Sequence, residues 1–144
     1  MSRVEESVKI HCPAEKAFAF TTDAKTWNKW QSILPEAEQT SPGPVGIGTT
    51  FRGTCRMMGR TMPWTATATE YEPAKKFGKT INSGAIVIWQ HNSYVPTNDG
   101  SEFTITYDIT VSGFLKLLSP FITHSMQKEL RKSLVTLKGI LEAD

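Results

Sequence analysis

This chain of 144 residues is poor in the residues that make metal sites and disulfide frameworks. It has two cysteines, Cys12 and Cys55, far apart in sequence, and three scattered histidines, His11, His91 and His124. A structural zinc site needs about four Cys or His ligands at close intervals, so no metal is expected. No apolar run approaches the roughly 20 residues of a membrane helix, which argues against stable membrane insertion. The opening segment MSRVEESVKI lacks the apolar stretch of a secretory signal, and no Asn-x-Ser/Thr acceptor occurs. The expectation is a cytoplasmic chain with reduced thiols. Sixteen basic against fourteen acidic residues leave a net charge of +2, too small a field for nucleic acid. A chain of this size buries enough surface to fold as one domain, spanning 1–144, without a staple.

What is present is patterned. Arg3 to His11 alternate, with Val4, Glu6, Val8 and Ile10 on one face, as in a half-buried strand. Pro13 suits the first position of a helix, and Ala17, Phe18 and Phe20 give that helix an apolar side. In DAKTWNKW, Trp27 and Trp30 are one helical turn apart, so both rings can meet one surface. SPGPVGIG (Ser41 to Gly48) is rich in turn residues. It precedes a strand and opens no helix, so it is a turn and not a phosphate cradle.

Strands dominate the middle. In TTFRGTCRMMG, Phe51, Gly53, Cys55 and Met57 share a face opposite Arg52, Thr54 and Arg56. In TMPWTATATEYE, Trp64, Ala66 and Ala68 alternate with Thr65, Thr67 and Thr69, a pattern that favours strand, and Pro73 ends it. Phe77 to Ile81 forms a shorter strand. Arg52, Arg56 and Arg60, with Lys75, Lys76 and Lys79, make a modest basic concentration, read as a solvated sheet face. The Asp-Gly turn at Thr97-Asn98-Asp99-Gly100 sets the register of a hairpin. Tyr94 then faces Phe103, Asn92 faces Ile105, Gln90 faces Tyr107, Ile88 faces Ile109 and Ile86 faces Val111. A slip of one residue would bury Glu102, Thr104, Thr106, Asp108 and Thr110. Trp89 and His91 fall on the outer face.

Phe114 to Ala143 is a helical pattern broken by Pro120. Leu130, Leu134, Leu137 and Leu141 form its apolar stripe, with Lys128, Arg131, Lys132 and Lys138 on the polar side. If mostly helical it is about 43 Å long and must lie across the sheet. Strands followed by a long helix indicate an α+β fold.

Several segments carry a resemblance to the START-like (SRPBCC, helix-grip) superfamily, in its polyketide cyclase/dehydratase-type branch. They are CPAEKAFAFTTD (Cys12 to Asp23), WNKWQSILPEAE (Trp27 to Glu38), VGIGTTFRG (Val45 to Gly53), TATEYEPAKKF (Thr67 to Phe77) and LVTLKGILE (Leu134 to Glu142). Their order covers almost the whole chain. The resemblance implies a curved antiparallel sheet of six to seven strands wrapped around a long C-terminal helix, with two short helices after the first strand. It also implies a hydrophobic cavity between sheet and helix, and ligands that are lipids, polyketides or other apolar molecules. It carries over no catalytic residue and no cofactor.

Buried polar groups need partners, so the inward set Gln90, Asn92, Tyr94 and Tyr107 either bond one another or grip a ligand. Apolar or small residues expected around the ligand are Trp30, Phe51, Cys55, Trp64, Ala66, Ile88, Phe103, Ile105, Phe121 and Met126. Trp27, Met57 and Leu117 would help line or close the cavity. Gly53, Ala66 and Ala68 would leave room on the inner face. Cys55, in apolar surroundings, would be an inert thiol. The first expectation is a non-enzymatic binder or carrier of a small hydrophobic molecule, monomeric or weakly dimeric. A cyclase or dehydratase-like enzyme using His124 or Tyr107 is the alternative, and a protein-binding adaptor using Trp89 is the second.

Overall fold

The computed structural model describes residues 2–57 and 59–143. The chain opens with β1 (Ser2–Ile10), then α1 (Ala14–Thr21), a 3-10 turn (Ala24–Thr26) and the single-turn α2 (Trp27–Trp30). Six strands follow: β2 (Glu36–Gln39), β3 (Thr50–Met57), β4 (Arg60–Glu72), β5 (Lys76–Ser83), β6 (Ile86–Thr97) and β7 (Gly100–Val111). A 3-10 segment (Gly113–Leu118) then leads into α3 (Ser119–Glu142). The seven strands form one antiparallel sheet in the order β1-β7-β6-β5-β4-β3-β2.

Alternation decides each strand's inner face. Along β7, Phe103, Ile105, Tyr107, Ile109 and Val111 are buried while the residues between them are partly exposed. The hairpin register is the expected one at all five positions, from Tyr94 opposite Phe103 to Ile86 opposite Val111. Trp64, Ala66 and Ala68 of β4 are buried between exposed threonines. The edge strand β2 is charged and shows no apolar alternation to mark it; it is held by pairing Glu36 to Gln39 with Thr54 to Phe51.

Proline sets both helix starts. Pro13 sits just outside α1 in extended conformation, and its carbonyl accepts from the amides of Lys16 and Ala17. Pro120 lies in the first turn of α3, where its missing N–H costs nothing. It therefore separates two helices rather than kinking one. At 24 residues, α3 is about 36 Å long. Its stripe Ile122, Met126, Leu130, Leu134, Leu137 and Leu141 is buried. α3 runs alongside β1 in the same direction: Gln127 and Arg131 donate to the Glu6 carboxylate, Lys138 to the Lys9 carbonyl, and Glu142 accepts from the His11 amide. This explains a carboxylate on the apolar face of β1. Glu6 points inward because α3 brings its donors there.

Candidate functional site

Cross-strand pairing builds the site row by row. On the inner face, Lys79 of β5 stands opposite Gln90 of β6, which stands opposite Tyr107 of β7. The row beside it, toward the β5–β6 turn, is Ile81, Ile88 and Ile109. The row on the other side contains Asn92 and Ile105. One polar row thus separates an apolar end of the sheet from a packed aromatic end.

The apolar end borders a partly open cavity of about 70 Å³. Its walls are Cys55, Met57, Met62, Trp64, Ile81, Ile86 and Ile88 from the sheet, Gln31, Ile33 and Leu34 following α2, and Met126 from α3, with Ser83 at the β5–β6 turn. Lys79, Gln90 and Tyr107 supply its polar side. Of the residues expected around a ligand, the structure brings six together here: Cys55, Trp64, Ile88, Gln90, Tyr107 and Met126.

The others lie elsewhere. Trp30, Phe51, Ala66, Asn92, Tyr94, Phe103 and Ile105 are buried in the core without lining the cavity. Ring contacts such as Trp30 on Phe103, Phe51 on Trp27 and Tyr94 on Phe103 pack this region. The inward polar set divides accordingly. Gln90 Nε2 donates to Asn92 Oδ1 at 2.9 Å, and the Tyr94 hydroxyl meets Thr21 Oγ1 at 2.5 Å. Asn92 and Tyr94 are thus partnered within the protein. Gly53 does not open space either. A Cβ there would collide with the Glu36 carbonyl oxygen and come within 2.7 Å of Trp64 Cζ2, so the ring and the β2 backbone already fill the room. Phe121 is 65% and Leu117 82% exposed; neither closes the cavity. His124 is exposed on α3 and outside the lining, which removes it as a group acting there.

Sequence reasoning missed Gln31, Ile33, Leu34, Met62, Ile81, Ser83 and Ile86 of the lining, and above all Lys79. Its charged neighbours suggest a solvated basic face, yet only 4% of it is exposed. The alternation Phe77, Lys79, Ile81 on β5 is the signal that places it inward. Its Nζ lies 3.4 Å from the centroid of the Trp27 ring and 5.8 Å from those of Phe51 and Trp64. Among the described residues it has no carboxylate or hydrogen-bond partner. Burial lowers its amine from 10.5 to about 7, because a charged group is poorly solvated there. The ring faces offset part of that cost. Burial pushes the Tyr107 hydroxyl up, so it remains a neutral donor. The Cys55 thiol is likewise pushed up by burial, in keeping with an inert thiol.

No group of three or more His, Cys, Asp or Glu side chains among the described residues could hold a metal ion. Among them, no helix is long and apolar enough to cross a membrane. The site offers apolar walls, a buried amine of adjustable charge and a phenol donor.

A seven-stranded antiparallel sheet with a long C-terminal helix, and a cavity bounded by the sheet, the segment after α2 and Met126 of α3, fits the helix-grip class. The sequence matches the family described as polyketide cyclase/dehydrase and lipid transport over residues 1–142, and the chain belongs to that family. Among solved structures, a protein from Thermus thermophilus superposes with a TM-score of 0.84 at 17% identity, covering 99% of this chain and 98% of that one. A START superfamily protein from Mycobacterium smegmatis gives 0.83 at 14% identity, covering 98% and 97%. The Zhui aromatase/cyclase from a Streptomyces species gives 0.75 at 12%, covering 99% and 92%. No curated protein matches the sequence. Family and fold support a protein that binds hydrophobic ligands.

Proposed function

We propose that this protein binds and carries a small hydrophobic molecule in the cavity between the sheet and α3, without converting it. The observation that carries the reading is the cavity itself, mostly apolar on its walls and bounded on one side by the polar row Lys79, Gln90 and Tyr107. At about 70 Å³ it is smaller than the roughly 300 Å³ of a full ligand site. Three of its walls are Met57, Met62 and Met126, and unbranched methionines re-pack around a guest at little cost. Each Å² of apolar surface removed from water would contribute roughly 25 cal/mol. The free thiols Cys12 and Cys55 fit a reducing compartment such as the cytoplasm.

Native mass spectrometry of the purified protein tests this, beside Cys55→Phe, which fills the cavity. Co-purifying hydrophobic material on the wild type and its loss from the variant are expected. Equal retention by both would place the ligand elsewhere and overturn the reading.

One observation favours a second reading, a cyclase- or dehydratase-like enzyme. Lys79 and Tyr107 face the same cavity, and an amine near 7 is suited to proton transfer at neutral pH. On that reading Lys79→Met and Tyr107→Phe each lower turnover of a polyketide-like substrate, while His124→Ala does not.

A further inference from the structure

Two donors, Lys79 and Tyr107, face the cavity with no hydrogen-bond partner among the described residues. Lys79 makes no hydrogen bond among the described residues, and its Nζ stands over the rings of Trp27, Phe51 and Trp64. The Tyr107 hydroxyl also makes no hydrogen bond among the described residues and lines the same space. Gln31, Gln90 and Ser83 offer only neutral acceptors, none bonded to Lys79 or Tyr107, and no carboxylate among the described residues lines the cavity. Buried donors left unpaired are costly, and the cost is greatest for a charged one. An occupant that brings an acceptor bearing one negative charge would relieve both Lys79 and Tyr107.

We infer that the ligand is an apolar monocarboxylic acid, its carboxylate held by Lys79 with Tyr107, and its hydrocarbon body between Ile81, Ile88 and Met126. This rests on the cavity-binding reading above. One cation faces the site, which matches a carboxylate and leaves a phosphate dianion half-neutralised. A carboxylate beside Nζ makes an ion pair with the ammonium, and the face of the Trp27 ring adds to the stabilisation of that charge. The bound carboxylate takes up a proton with it, because it holds Lys79 charged where the empty protein has partly released that proton. The other titratable groups facing the cavity are Cys55 from β3 and Tyr107 from β7. Both are pushed up by burial and stay neutral near pH 7.

Calorimetric titration of the full chain with decanoate and with 1-decanol tests the inference, since the two probes differ only in the head group. The wild type is expected to prefer decanoate by about tenfold or more, the worth of a charge-assisted contact. Decanoate affinity should fall as pH is raised above about 7, by up to about tenfold per unit, while decanol affinity stays level. Lys79→Met should bind both probes alike, and Tyr107→Phe should keep a reduced preference. Equal binding of the two probes by the wild type, or a preference retained in Lys79→Met, overturns the carboxylate assignment and leaves the cavity reading intact. Binding of neither probe, with Cys55→Phe indistinguishable from the wild type in both titrations, overturns both.

Discussion

Lys79 Nζ stands 3.4 Å from the centroid of the Trp27 ring, a buried amine resting on a buried indole. This contact makes stability depend on pH. In the unfolded chain the amine titrates near 10.5, in the folded chain at about 7. Between those values the unfolded chain holds a proton the folded chain has lost, so stability rises with pH across that window. Below about 7 the folded protein carries the whole cost of a buried charge, and above 10.5 that cost is gone. Lowering the amine this far corresponds to about 5 kcal/mol at most. Lys79→Met, which keeps the volume and removes the charge, should therefore be more stable than the wild type by a few kcal/mol near pH 6. Urea unfolding should show that advantage shrinking as pH rises toward about 10.

Tyr94 is a core residue and its substitution should separate folding from binding. Its hydroxyl meets Thr21 Oγ1 at 2.5 Å, and Thr21 also donates to the Ala17 carbonyl at 2.7 Å. Tyr94→Phe leaves Thr21 with that second partner, so the loss should be about 1 kcal/mol. Ligand affinity should be unchanged, because Tyr94 does not line the cavity. The pair of measurements is urea unfolding and a probe titration.

Gly53 is required by the two groups that cross it. A Cβ at that position would collide with the Glu36 carbonyl oxygen and meet the Trp64 ring at 2.7 Å. The ring could shift, but the backbone of β2 could not without losing its pairing to β3. Gly53→Ala should cost about 1–3 kcal/mol. Hydrogen exchange should quicken first at the β2 amides, Glu36 to Gln39, and remain slow in β6 and β7.

The fold was legible where one simple period governs a segment. The β6–β7 register followed from a two-residue alternation bounded by Asp-Gly, and it is met at every expected pair. The site was legible only in part. Lys79 was hidden by its charged neighbours Lys75 and Lys76, although Phe77, Lys79 and Ile81 lie two apart on one strand. Asn92 and Tyr94 face inward as expected, but which inward residues border a void depends on where α1, α2 and α3 come to rest. Tyr94 meets α1 through Thr21, while Gln90 and Tyr107 are left open to the cavity. The pattern of a single strand does not contain that distinction.

Phe121 marks where α3 turns its stripe away. It precedes Leu130 by nine positions, and nine steps of about 100° amount to about 180° around a helix, so the two lie on opposite sides. The exposure follows: 65% for Phe121 against 4% for Leu130. Phe121→Ser should therefore shift stability by no more than about 0.5 kcal/mol, and Leu117→Ser likewise, since Leu117 is 82% exposed. Leu137→Ala, at a fully buried position of the same helix, should cost about 2–5 kcal/mol. Urea unfolding of the three variants side by side checks the phase of α3. A large loss in Phe121→Ser would mean that α3 is rotated so that Phe121, and not Ile122, packs inward. Met126 would then lose its place in the cavity wall, because the two residues are five positions apart on one rigid helix.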